Sequence, residues 1–243
     1  MSAITAALPK RKSRYFFAAS CLALAAIFTG FWTTFILPSA RGTFAGPTVI
    51  YVHGAFLLLW ALFFLLQSAL VQAKKTRVHM LIGYYGLVLV AGTVISTMAV
   101  GVYVMKRDLA QGGGQVAISS LVGNFTTPLV FAILAAAAVK YRRRPEIHKR
   151  LILLATIAIM WPAFFRFRHY FPGVSYPEIV FGLIVPDSMI AIAMLWEKFT
   201  MGRIHPVYLT AGLALIAENT AEVMLFDSAG WRVFANWLAS FFL

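Results

Sequence analysis

The sequence is poor in charged residues and almost devoid of cysteine. Of its 243 residues only 12% are charged while 61% are hydrophobic, and the mean hydropathy is +0.82. A soluble domain carries about 25% charged residues, and half that share is too small to cover a surface that faces water. Cys21 is the single cysteine, which excludes an internal disulfide framework and a cysteine-based zinc or iron–sulfur site within one chain. The composition therefore predicts an integral membrane protein without a soluble domain.

Several motifs that mark familiar chemistry are also missing. The sequence has no Gly-rich phosphate loop, no Gly-x-Ser-x-Gly and no His-x-x-x-His pair, which argues against nucleotide-binding, serine-hydrolase and zincin-type sites. No lysine lies in the last long apolar segment, so a retinal Schiff base of the rhodopsin type has no attachment point there.

What the sequence does contain is a series of apolar segments long enough to cross a bilayer, which takes roughly 20 residues. Glycine, proline and basic residues separate them. The seven segments are 15–37, 47–72, 79–104, 116–139, 148–169, 177–196 and 206–225. We therefore predict an all-α, polytopic bundle of seven transmembrane helices over residues 15–226. Residues 1–14 form a basic N-terminal segment ahead of an uncleaved first helix, and residues 227–243, too short to span, form an interfacial helix.

The basic residues predict the orientation of the bundle, because loops rich in Lys and Arg stay in the cytoplasm. Most of the 21 Lys and Arg residues fall on one side, and Arg41, Lys106, Arg107, Arg166, Arg168 and Arg232 fall on the other or near its helix ends. The N-terminus is therefore predicted to be cytoplasmic and the C-terminus external, in the inner membrane of a bacterial cell. The net charge of +13 is then a signal of topology and of attraction to anionic lipid, and no nucleic-acid partner is expected.

Five predicted helices place polar side chains at similar height in the outer half of the membrane: His53, Asn124, Arg166, Asp187 and Glu218. Ionisable groups are costly in lipid, so each is a candidate for function. One interpretation is structural, an ion pair of Arg166 with Asp187 or Glu218 that joins helices. The other is a polar pocket that opens outward, in which Asp187, Glu218 and Arg166 are the reactive groups.

The histidines divide between the two sides. His79, His148 and His205 lie at cytoplasmic helix starts, whereas His53 and His169 lie on the outer side. Each alone is typical of an interfacial side chain. Together they have the distribution of a two-level haem or metal arrangement, since neutral imidazole is a favoured axial ligand of iron. Small residues that share a face with His79 would leave room for a macrocycle, or would let a neighbouring helix approach closely.

The histidine-bearing junctions resemble those of an uncharacterised family of bacterial multi-pass membrane proteins. The resemblance rests on four stretches, which lie within residues 50–206: His53-Gly54 with Trp60 and Gln67, Arg77-Val78-His79-Met80-Leu81-Ile82-Gly83, Pro145-Glu146-Ile147-His148-Lys149-Arg150-Leu151, and Gly202-Arg203-Ile204-His205-Pro206. Met80 stands where that family generally has arginine. The resemblance implies topology and candidate positions rather than a reaction. In pattern alone, the chain is also similar to di-haem b-type membrane cytochromes.

Two functions from different classes remain open at this point. The first is an electron-transfer protein that binds b-type haem or another metal through His53 and His169 outside and through two of His79, His148 and His205 inside. It would act between a quinol-like donor and an external acceptor, with other membrane proteins as further partners. The second is a non-redox binding protein, a sensor, assembly factor or transporter component with an outward polar pocket. Whether the protein is an enzyme stays open, since a metal-dependent intramembrane hydrolase is a third alternative.

Overall fold

The computed structural model describes residues 12–243, and within this range the chain is helical and contains no strand. The expected basic segment at residues 1–14 lies outside the described residues except for its last three positions. Helices alone suit such an apolar sequence, because a lipid-facing backbone has to satisfy every N–H and C=O group internally. The predicted all-α membrane bundle is confirmed.

Six helices are long and apolar enough to cross a membrane, and the number is seven if the bent pair α8–α9 counts as one span. The nine helices of the described range are α1 (Lys12–Phe31, extended through Trp32–Ile36 and Leu37–Ala40), α2 (Thr48–Gln72), α3 (Thr76–Ile82), α4 (Tyr85–Ala110), α5 (Gly114–Lys140), α6 (Pro145–Ala158, continued by Trp161–Phe165 and Arg166–His169), α7 (Pro177–Met201), α8 (Tyr208–Leu225) and α9 (Ala229–Ala239).

The third span differs from its predicted position. The long helix α4 begins at Tyr85 rather than at residue 79, and a separate seven-residue helix, α3, precedes it. Gly83 is the C-cap of α3, and its N–H makes the last hydrogen bond of that helix, to the carbonyl of His79 at 2.9 Å. Hydropathy alone did not reveal this break, because the residues on both sides of it are apolar. His79 therefore lies on a short helix between two spans.

The seventh segment is helical but turns sharply at its end. Helices α8 and α9 meet at 94°, and Ser228 begins α9 as an N-cap whose side chain accepts a hydrogen bond from the backbone N–H of Trp231 at 3.4 Å. The indole N–H of Trp231 also donates to the Ser119 carbonyl at 2.9 Å, which ties α9 to the start of α5. A helix perpendicular to its predecessor suits the predicted interfacial position, which stays a prediction.

Helix α6 lies at the centre of the bundle and contacts α1, α5, α7 and α8. It is the most buried of the spans, and Leu154 and Ala155 are fully enclosed. A Cβ atom at Gly30 would lie 2.1 Å from the carbonyl oxygen of Ala163, so α1 crosses this region with backbone against backbone. Small residues at such crossings are the usual means of close packing in membranes.

Three helices contain a turn of π-helix, at Trp32–Ile36, Val180–Ile184 and Tyr208–Gly212. A π turn accommodates one more residue than an α turn and occurs frequently at functional sites. The second and third of these turns come shortly before the acidic residues of α7 and α8.

Candidate functional site

Acidic side chains of α7 and α8 come together within the bundle. Asp187 is only 8% exposed, and its Oδ1 accepts a hydrogen bond of 2.7 Å from the Asn219 amide. Its second oxygen, Oδ2, is buried and has no hydrogen-bond partner in the described part of the chain. Glu218 and Glu222 lie beside Asn219 on α8, and we call these four residues the carboxyl cluster.

The carboxyl groups of the two glutamates are close enough to act on each other. Two ionised carboxylates repel and can only accept hydrogen bonds, so a proton on one member would stabilise the pair. Thr126 of α5 donates its hydroxyl to Glu222, while Oε1 of Glu218 is buried without a partner among residues 12–243. The charge of Asp187 also acts on Glu218.

Local sequence explains why these groups meet. Glu218 and Glu222 are four residues apart and therefore share one face of α8. Gly212 allows α8 to approach α7, because a Cβ there would come within 3.2 Å of Ile190. Pro186 lies at the first turn of the α-helical part of α7, directly before Asp187, and its missing N–H leaves a backbone carbonyl free in that region.

Arg166 does not join the carboxyl cluster, so neither of the ion pairs considered for it forms. Its guanidinium donates to the Pro162 carbonyl at 2.8 Å, and its central carbon lies 3.9 Å from the centre of the Phe31 ring. Within the described range no Lys or Arg nitrogen lies within 4.0 Å of a cluster carboxylate. The interpretation of Arg166 as a partner of Asp187 or Glu218 in a helix-joining ion pair is therefore wrong. The cluster carboxyl groups have one another as their charged neighbours.

Two further residues predicted on the outer side, His53 and Asn124, also lie apart from the carboxyl cluster. His53 faces Thr97 of α4, with 3.4 Å between Nδ1 and Oγ1, and the charge of Arg166 acts on it. Asn124 packs against Gly101 and donates to the Ser120 carbonyl at 2.9 Å. Neither belongs to the carboxyl cluster.

The proposed outer metal ligands, His53 and His169, have no contact with each other in the structure as described. His169 is exposed. No group of three or more His, Cys, Asp or Glu side chains in residues 12–243 has the arrangement of a metal site. A role for this pair in metal binding stays a prediction.

At the opposite, basic end of the bundle the structure pairs two of the three histidines. The rings of His79 on α3 and His148 on α6 have centroids 6.4 Å apart and planes at 81°. His148 Nδ1 lies 2.9 Å from the Ala138 carbonyl. The third, His205, has a different role: its Nδ1 accepts the Val207 N–H at 3.2 Å and stabilises the turn before α8.

The small residues near His79 serve helix packing. A Cβ at Gly86 would lie 3.1 Å from the Phe63 ring of α2, and one at Gly101 would lie 2.4 Å from Asn124 of α5. Of the two uses considered for these residues, close approach of neighbouring helices is therefore the one observed.

A buried ion pair near the same end was not predicted from the sequence. Arg150 is 1% exposed, and its Nε donates to Glu197 Oε1 at 2.6 Å. Glu197 also accepts the backbone N–H of His205 at 2.9 Å, and Glu146 bonds Arg150 at 2.9 Å. Arg150 was assigned to the topology signal of the loops. The signal that was available is an acid, Glu197, at the end of an apolar helix, where a partner is required.

Comparisons of the chain with protein-family models, with curated proteins and with solved structures give no match.

Proposed function

We propose that this integral membrane protein is a non-redox binding protein, a transporter component or sensor, whose carboxyl cluster takes up a proton or a small cation. We assign it to the inner membrane of a bacterial cell, with the cluster nearer the external side. The observation that carries the proposal is the meeting of three carboxyl groups inside the bundle with no Lys or Arg partner among the described residues.

Electrostatics supports a positively charged ligand. Burying one ionised carboxylate away from water is costly, and burying several close together is more so, unless protons or cations compensate. A proton shared between Glu218 and Glu222 would remove one of these charges. The partner-free oxygens Asp187 Oδ2 and Glu218 Oε1 remain to receive a second proton or a cation.

The helices that carry the acids also have a feature common at binding sites. Both α7 and α8 contain a π turn, and such turns occur frequently at functional sites. Exchange of a proton for a cation at one site is the elementary step of a coupled carrier.

Infrared difference spectroscopy on the purified protein tests the proposal. A pH change should alter the carboxylic C=O stretching band, and Asp187→Asn, Glu218→Gln and Glu222→Gln should each remove part of the signal. Glu178→Gln is the matched control, because Glu178 is an exposed acid on the same helix as Asp187.

Ligand competition completes this test. Na⁺ or methylammonium should shift the pH at which the band changes in the wild-type protein, and not in Asp187→Asn. A spectrum in which all four variants match the wild type would overturn the proposal, as would variants that respond only through unfolding, measured by circular dichroism.

A second candidate function is electron transfer through b-type haem, from a quinol-like donor to an external acceptor. The observation that favours it is the pairing of His79 with His148 at the basic end. A second haem level would require His53 and His169 to converge. An absorption spectrum decides this candidate: a Soret band that His148→Ala abolishes would support it, whereas a colourless, iron-free protein would refute it.

A further inference from the structure

We infer that His79 and His148 form a two-imidazole site for a single first-row transition-metal ion at the basic end of the bundle. The inference is independent of the carboxyl cluster, which lies on other helices.

The spacing of the rings is that of two ligands on one ion. Metal–nitrogen bonds to imidazole measure about 2.0–2.1 Å, which places the centroids of two ligands on opposite sides of one ion roughly 6 Å apart. The observed separation is 6.4 Å. Nearly perpendicular ring planes keep the two ligands from obstructing each other.

The outer contacts of both rings match those of metal ligands. A ligating histidine generally donates its second ring N–H to a backbone carbonyl or a carboxylate, which fixes its orientation. His148 has this contact through Nδ1 with the Ala138 carbonyl at 2.9 Å, which leaves Nε2 for an ion. The His79 ring lies near the backbone of Gln67, and its Nδ1 is buried without a partner in the described chain.

Nδ1 of His79 is buried and has no hydrogen-bond partner among residues 12–243. A buried ring nitrogen without a partner is otherwise unfavourable, and a metal ion would satisfy it.

A bare ion needs only the space between the rings. With two protein ligands, the remaining coordination positions are open to water or to an external ligand, as in metal sites that exchange or act on a ligand.

Copper titration of the full-length protein, purified in detergent without a histidine tag, tests the inference. Cu²⁺ is the sharpest probe, because imidazole sites bind it more tightly than other first-row divalent ions. We expect one equivalent to bind, with nitrogen hyperfine structure from two imidazoles in the electron paramagnetic resonance spectrum. His79→Ala and His148→Ala should each weaken binding at least about tenfold, whereas His169→Ala, an exposed histidine, should not.

Three results would overturn the inference. The first is a wild-type copper spectrum with fewer than two imidazole nitrogens, which needs no variant. The second is equal copper affinity in folded His79→Gln and His148→Gln proteins. The third is a haem that co-purifies with the protein and is lost in both variants, which would assign the pair to a macrocycle instead.

Discussion

Replacing Arg150 by Met should destabilise the protein strongly, because it leaves the carboxylate of Glu197 buried without its cation. The two side chains are 2% and 6% exposed, so water cannot take over. Breaking a buried pair from one side costs about 3–5 kcal/mol. After the loss of Arg150, the His205 backbone N–H is the hydrogen-bond donor that Glu197 keeps among residues 12–243, which places this variant in the upper part of that range.

Removing the other partner should cost less. In Glu197→Gln, Arg150 retains Glu146, whose side chain is half exposed and lies 2.9 Å away, so we expect about 2 kcal/mol, the scale of one hydrogen bond to a charged group. The double variant Arg150→Met, Glu197→Leu should recover most of the stability, since apolar replacement of a buried pair is often neutral or stabilising.

Unfolding of the purified protein in detergent, followed by tryptophan fluorescence during a denaturant titration, measures these differences. Arg107→Met is the control, because it breaks an exposed pair with Asp108 and should cost less than about 1 kcal/mol. The single variant Glu197→Leu completes the cycle. If the costs of Arg150→Met and Glu197→Leu simply added up in the double variant, the reasoning would be refuted, since two partners of one ion pair have to couple.

Two further predictions concern α1 and α9. Gly30→Ala should destabilise the protein by about 1–3 kcal/mol or prevent folding, because the new methyl group would meet the Ala163 carbonyl; the denaturant titration measures it. Hydrogen bonds from Arg232 and, to a smaller extent, from Ser119 hold the pKa of Asp227 below its ordinary 3.8. The stability that this carboxylate contributes is therefore present above pH 3.8 and is lost only as the pH falls through the lower pKa of the folded state. The fluorescence of Trp231 should therefore stay constant from neutral pH down to about pH 4.

Each has a matched control. Gly230→Ala, on the exposed surface of α9 with nothing within 4 Å of its Cβ position, should leave stability unchanged or raise it by up to about 1 kcal/mol. In Asp227→Asn the fluorescence should no longer respond to acid through this group. A fluorescence change centred near pH 5 in the wild type would contradict the assignment of Asp227.

Height along the bundle axis could be predicted from the sequence, whereas rotation about each helix axis could not. The apolar segments and their Gly, Pro and basic boundaries located the spans, and Asp187 meets α8 at Asn219, directly beside Glu218. Lipid-facing and core-facing sides are both apolar here, so no amphipathic period indicates which way a side chain points. This is why Arg166 was expected beside the acids, although it packs over Phe31 instead.

The partners of polar groups were likewise beyond the sequence. Asn219 donates a hydrogen bond to Asp187, but nothing in the sequence shows that α7 and α8 bring these two side chains together. Three histidines were predicted to lie on the cytoplasmic side, and two of them were expected to be ligands. Which two lie together, His79 and His148, is visible only in the fold. The break between α3 and α4, which creates that pairing, has no hydropathy signal.

The π turn at Val180–Ile184 makes the position of Asp187 depend on the number of residues that precede it. Each residue of an α-helix advances the chain by about 100°, so deleting one residue from this turn would convert it to α-helix and rotate the rest of α7 by that angle. Asp187 would then leave Asn219 and point toward another neighbour or the lipid. A one-codon deletion in this turn would thus move the acid out of the cluster, although the composition and length of the span would stay almost unchanged. Inserting one codon elsewhere in the same helix could restore the position of Asp187 only if the insertion fell before residue 187.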